Sequence, residues 1–442
     1  MMHPAGGAAP DLTPRTLRRL LSPPRLRRLL RFGVGGLLVG CMAVAFAEAA
    51  DGAQSLFAWI TDGRLWLAPI LGALGFGISA LAAQRLFPAA PGSGIPQCIA
   101  AMRRPLELVP SQLNARTGIG KIALCLFGLA CGASIGREGP TVQVGAVILA
   151  SLTANATPAR LRRVITAGGA AGLAGAFNTP LAGIVFALEE LAAGFDIRNR
   201  MAVLAAIFLS SAVAIAVLGD YTYFGRHPLD FTVVAIPVFL LVAVLAGILG
   251  GLFGRCVLAL TRLLPRLFAR FGRWSVLAAA ASCGLLAGLI GLAAGGATFG
   301  TGYEPTRLAL EGGHALAWWF FPAKFAATAL ASSAGIPGGL FAPSLSVGAG
   351  FGAIFAPLVG PDLVPSLMLV GMAAYLTGVT HSPVTALVLL AEMTGESRGL
   401  AILIPSVGLA WLGSRLVLRH GLYHLLAERI LARAGWNPSA TT

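Results

Sequence analysis

Apolar runs of bilayer-spanning length recur along this chain, and they leave few folds open to it. Residues 32–50, 65–83, 202–218, 233–252 and 275–294 all fall in the range of about 17–25 residues that a helix needs to cross hydrocarbon. None alternates with the period of two of a transmembrane strand. Only 11% of the 442 residues are charged and 57% are hydrophobic, whereas soluble chains run near about 25% charged. The expected class is an all-α polytopic membrane protein.

The formal charge of +15 could suggest nucleic acid, but its placement argues for topology. Arg15, Arg18, Arg19, Arg25, Arg27, Arg28 and Arg31 precede the first span, and Arg415, Arg419, Arg429 and Arg433 follow the last. Flanking arginines favour the cytoplasmic side, so both termini are expected inside with an even number of full crossings, and no nucleic-acid partner is expected. The basic start followed by an apolar run and Ala47-Glu48-Ala49-Ala50 also resembles a secretory signal. Because spans of the same character follow, an uncleaved first helix is the better reading. Six cysteines lack CxxC spacing and six histidines lack ligand spacing. They indicate no disulfide framework, metal site or cofactor.

An internal repeat is visible by eye. A shift of 203 residues lays Gly136-Arg137-Glu138-Gly139-Pro140-Thr141 on Gly339-Leu340-Phe341-Ala342-Pro343-Ser344, and the same shift lays Gly168, Gly175, Pro180 and Glu189 on Gly371, Gly378, Pro383 and Glu392. Gly92-Ser93-Gly94 echoes Gly300-Thr301-Gly302 once a small insertion is allowed. Two related halves are expected, roughly 32–193 and 233–394. The corresponding division is a basic cytoplasmic segment 1–31, a first membrane repeat 32–200, a connection 201–232 that includes a membrane helix, a second repeat with the final helix 233–435, and a tail 436–442.

Duplicated membrane halves, often opposed in orientation, characterise transporter folds, with the substrate site where broken helices meet near the midplane. The arms 122–135 and 141–152 are each short for a full crossing, with Gly and Pro between them. Non-helical backbone at that depth must face protein or a water-filled cavity. Pro140 and Pro343 suit a helical first turn and the glycines before them permit close approach, so each break aims unpaired amides and a positive helix end at one spot, an anion site. A dipole end contributes ~0.3–1 kcal/mol when exposed, and an amide bonding an ion ~1.5–3 kcal/mol. Glu138 would lie deep in hydrocarbon, where an ionisable side chain marks an ion pathway.

These residues resemble the CLC family of chloride channels and chloride–proton antiporters. Gly92-Ser93-Gly94-Ile95-Pro96, Gly136 to Pro140, Gly338-Gly339-Leu340-Phe341-Ala342-Pro343 and Tyr423 stand in the family's order, with 176–183 and Glu189-Glu190 between them. The resemblance covers roughly 33–435. It implies a fold of about 18 helices built from two inverted repeats with broken or re-entrant helices, and a homodimer with one pathway per subunit in a bacterial inner membrane. It implies that Ser93 and Tyr423 donate hydroxyls to a central chloride, with the amides of Leu340 and Phe341, and that the amides of Arg137, Glu138 and Gly139 line an outer anion position. Glu138 then resembles the gating glutamate and external proton site, and Glu190 the internal proton-transfer acid. Since carboxylate and chloride compete for the same amides, proton binding at Glu138 frees a site for the anion, which links the two occupancies.

Other readings compete at each position. Ser93 between glycines could be a turn residue, Tyr423 an interfacial belt aromatic, Glu190 a partner of Arg198 or Arg200, and Glu138 an ion pair with Arg137. Glu189 reads as structural, because its repeat partner Glu392 is also acidic. For the whole protein the alternatives are a passive chloride channel of the same fold and, more remotely, an intramembrane serine hydrolase using Ser93 with His381. Gln97 departs from the glutamate that many members carry there. The 19 residues after Tyr423 are too few for the nucleotide-sensing domains of many eukaryotic members, so regulation by such domains is not expected.

Overall fold

The computed structural model describes residues 23–153, 157–191, 200–219, 222–227, 229–312, 315–395 and 399–436. Arg15, Arg18, Arg19 and Arg198, and the tail beyond Trp436, lie outside them. Among the described residues are eighteen α-helices and short 3-10 turns. The first half comprises α1 (Pro23–Thr61), α2 (Ala68–Leu86), α3 (Ile95–Arg103), α4 (Pro105–Gln112), α5 (Ala115–Ala130), α6 (Glu138–Ser151), α7 (Pro158–Phe177), α8 (Pro180–Glu189) and α9 (Arg200–Leu218). The second comprises α10 (Ile236–Leu267), α11 (Ser275–Ala293), α12 (Tyr303–Leu310), α13 (Phe320–Ser333), α14 (Phe341–Ala353), α15 (Val364–Thr380), α16 (Pro383–Thr394) and α17 (Leu400–Arg415), and α18 (Leu422–Arg433) follows.

The 203-residue shift carries the start of α6 onto that of α14 and the start of α8 onto that of α16. Packing repeats with it. Helix α9 lies on α1 and α7 as α17 lies on α10 and α15, and equivalent helices meet directly where α2 packs on α11 and α8 on α16. Among the described residues, six helical segments are long and apolar enough to cross a membrane. Helix α5 begins at Ala115, ahead of the run expected from 122, because the Asn114 side chain accepts from the Thr117 amide at 2.9 Å, capping an orphan donor.

Helices α6 and α14 have 14 and 13 residues, about 20 Å each at ~1.5 Å per residue, well under the roughly 30 Å hydrocarbon layer. They start inside the protein and are buried along nearly their whole length. Each packs on its neighbour through glycine. A Cβ at Gly168 would collide with the Gly145 carbonyl, and one at Gly371 with that of Gly348. These pairs are repeat equivalents, and small residues are what bring helix backbones close where lipid supplies no hydrophobic drive. Helices α7 and α15 also end alike, in the left-handed conformation at Asn178 (φ 56°) and His381 (φ 64°), which turns the chain into Pro180 and Pro383.

Candidate functional site

The two halves meet backbone to backbone at the broken helices. Gly136 N donates to Gly339 O at 2.8 Å and Gly339 N to Gly136 O at 2.6 Å, a reciprocal pair between equivalent residues. Beside it Gly92 N donates to Ile336 O at 3.0 Å, and Gly338 N to Gly92 O at 3.2 Å. The helical ladders begin with Thr141 N to Arg137 O and Ser344 N to Leu340 O. The amides of Glu138 and Gly139, and those of Phe341 and Ala342, therefore belong to the open first turns of α6 and α14, which the glycine pair holds side by side.

Glu138 opens α6 and is fully buried. Its carboxylate lies against its own amide and that of Ala342, and neither oxygen has a hydrogen bond of ordinary geometry among the described residues. A Cβ at Gly136 would collide with its Oε2, and one at Gly139 with the Ser93 hydroxyl. Those two glycines leave the space that the carboxylate and the hydroxyl use. Arg137 turns away, donating through Nη1 to the Ala47 carbonyl at 2.6 Å and to Asp51 Oδ1 at 3.0 Å. Arg137 thus finds its acidic partner on α1. A cavity of about 520 Å³ opens beside it, lined by Glu48, Asp51, Gln54, Tyr223 and Tyr303.

Ser93 and Tyr423 come from opposite ends of the chain and are near neighbours. Both are buried, and neither oxygen has a hydrogen-bond partner of ordinary geometry among the described residues. The Tyr423 ring stacks on Phe341, centroids 6.0 Å apart and planes at 21°, and Phe186 stands edge-on to Phe341 at 6.4 Å. Tyr423 is accordingly enclosed, as an interfacial belt residue would not be. Unpaired buried hydroxyls are costly, and two hydroxyls beside open amide turns have the donor set of a small-anion site. Leu340 and Phe341, at the α14 break, are buried in the same region.

Glu190 closes α8 with its side chain 2% exposed. Its Oε2 accepts from the Ser382 hydroxyl at 2.5 Å, and its Oε1 faces His424 Nδ1 at 3.5 Å. Tyr423 is within electrostatic reach of both Glu190 and Glu138. The adjacent Glu189 accepts from the amides of Val384 and Thr385. His381, the other half of the Ser93 pair weighed above, has its Nε2 at 2.9 Å from the Ser414 hydroxyl. Gln97 donates to the Pro91 carbonyl at 2.6 Å.

Sequence reasoning passed over Lys121 and Lys324, both fully buried. Lys121 Nζ donates to the Gly92 carbonyl at 2.8 Å, and Lys324 Nζ to the carbonyls of Thr298 and Gly300 at 2.9 and 2.8 Å. Each ammonium ties down one glycine turn of its own half. The signal was present in the spacing, since the two lysines stand 203 residues apart.

Short facing helices, a glycine bridge between duplicated halves and buried unpaired donors define a membrane protein of the ion-conducting or ion-transporting class. The chain belongs to the voltage gated chloride channel family, whose profile matches residues 75–415. It is 30% identical over 458 aligned residues to the H(+)/Cl(-) exchange transporter ClcA of Cronobacter sakazakii (strain ATCC BAA-894), covering 94% of this chain and 93% of that protein. Its fold matches that of a slow cyanobacterial Cl-/H+ antiporter, with a TM-score of 0.80, 23% identity, and coverage of 93% of this chain and 99% of the other. A CLC-type fluoride/proton antiporter matches with a TM-score of 0.74 at 22% identity, over 91% and 99% of the two chains. The eighteen helices are those of the CLC fold.

Proposed function

We propose that this protein exchanges chloride for protons across a membrane. The observation that carries the reading is the Glu138 carboxylate, buried without an ion-pair partner among the described residues, at the point where two open helix starts converge. That is where an anion would sit, so carboxylate and chloride exclude each other and protonation of Glu138 admits the ion. The amides of Arg137, Glu138 and Gly139 serve the outer anion position. The hydroxyls of Ser93 and Tyr423, with the amides of Leu340 and Phe341, serve the central one. Hydroxyls and amides hold the ion firmly enough to admit it and loosely enough to release it.

Glu190 favours exchange over a passive channel. A second buried acid within electrostatic reach of Tyr423 gives protons a station besides Glu138, and an anion conductor needs none. The named relatives support the same reading. The protein is further proposed to work as a homodimer in the bacterial inner membrane, one pathway per subunit, with both termini cytoplasmic and the domain division given above. Reconstitution in liposomes with a chloride gradient and an external pH electrode tests the proposal. Uphill proton movement driven by chloride is expected; chloride flux without it would leave a channel.

A further inference from the structure

One titratable side chain at the inner acid has no part in the scheme so far. We propose that His424 is the relay through which protons pass between Glu190 and water, an inference that rests on the exchange reading. Glu190 is sealed, its side chain 2% exposed, whereas that of His424 is 35% exposed. The imidazole thus borders the carboxylate through Nδ1 while about a third of its side chain is exposed. Ser382 holds Oε2 of Glu190, leaving Oε1 without a hydrogen bond among the described residues and 3.5 Å from His424 Nδ1, a gap that a small side-chain rotation closes to hydrogen-bond length.

Helix α18 sets this arrangement. Tyr423 is fully buried at the anion site, and the next residue lies about 100° further round the helix, so one turn presents a hydroxyl inwards and an imidazole outwards. Glu189 is the neighbouring acid, but both its oxygens are taken by α16. The other charged or titratable groups about His424 are Arg103 on α3, His420 before α18, and His381 at the end of α15. Glu428, one turn along α18, stands 4.0 Å from Arg103, and Arg415 stands near His381. None of these other groups makes a hydrogen bond or ion pair with Glu190 among the described residues.

The transfer balances simply. The imidazolium gives its Nδ1 proton to Oε1 of the Glu190 carboxylate, leaving a carboxylic acid and a neutral imidazole that keeps its Nε2 proton. A half-turn of the ring then offers the bare nitrogen to water, where it is protonated again, and the reverse sequence discharges Glu190. Histidine suits the task because its ordinary ionisation lies within the physiological range.

Proteoliposomes carrying His424→Ala and His424→Gln test the relay, with chloride binding by calorimetry to establish that each variant is folded. Both should bind chloride as the parent does, while proton flux falls about a hundredfold, at the lower edge of what a positioned proton-transfer group contributes. Imidazole in the buffer should restore flux to His424→Ala, after correction for protein-free liposomes, but not to Glu190→Gln. Unchanged proton flux in both His424 variants overturns the relay, and so does a loss that imidazole does not repair, since that loss would reflect packing. Uphill proton movement by Glu190→Gln would instead sink the exchange reading of Glu190 itself.

Discussion

Glu189 and Glu392, 203 positions apart, cap each other's helices. The Glu189 carboxylate at the end of α8 accepts from the Val384 and Thr385 amides at 3.1 and 2.6 Å, and from the Thr385 hydroxyl at 2.7 Å. Glu392 near the end of α16 accepts from the Leu181 and Ala182 amides at 3.0 and 2.7 Å. Each negative charge faces the positive end of the opposite helix, so the two halves are tied by an exchanged pair of caps. Glu189→Ala and Glu392→Ala should each cost about 1–2 kcal/mol, the usual scale of a lost helix cap. Thermal unfolding in detergent checks this, and a variant as stable as the parent would make its cap incidental.

Glu138→Gln removes the charge proposed to compete with chloride and the proton that Glu138 would carry. Proton flux is expected to drop to that of protein-free liposomes while chloride still binds. Chloride transport that stays coupled to pH in this variant would refute the role assigned to the carboxylate.

Gly136→Ala places a methyl where Glu138 Oε2 lies, and the flexible carboxylate is the group that can yield. On the proposed reading, rising pH in the parent should charge Glu138 and weaken chloride binding, because carboxylate and ion would share the same amides. The alanine variant should lose most of that pH dependence. Calorimetric titration of chloride at acidic and alkaline pH measures it, and an unaltered dependence would show that the carboxylate does not compete from this pocket.

Glu190→Gln should suppress proton movement and spare chloride flux, since the carboxylate is bonded to the Ser382 hydroxyl and the proposed anion ligands do not include it. Parallel chloride and proton electrodes decide the matter. Equal loss of both fluxes would make Glu190 a structural tie between α8 and the start of α16.

Ser93→Pro removes the hydroxyl that lies where a Cβ at Gly139 would fall and should move preference from chloride towards nitrate. The ratio of the two uptake rates is the measurement, and a constant ratio would count against direct coordination by Ser93.

Much of the architecture was legible in one dimension because it is duplicated. A single shift aligned the glycines that later prove to exchange hydrogen bonds, Gly136 with Gly339, and those that let helices touch, Gly145 with Gly348 and Gly168 with Gly371. Glu189 read as structural from its repeat partner alone, and the two carboxylates indeed cap opposite helices. The same shift would have exposed Lys121 and Lys324. Spacing does not say that an ammonium will be buried under a glycine turn, because that depends on which carbonyls are left over once the ladders form.

By itself the chain determined its solvent, its helices and the positions of its breaks, since apolar length, glycine and proline act on the backbone locally. Only the tertiary structure decided partners: that Arg137 leaves Glu138 for Asp51, that Ser93 meets Tyr423 from 330 residues away, and that His424 borders Glu190. The physical reason is that a buried polar side chain takes whichever complementary group packing brings within about 3 Å, and separation along the chain carries no record of that choice.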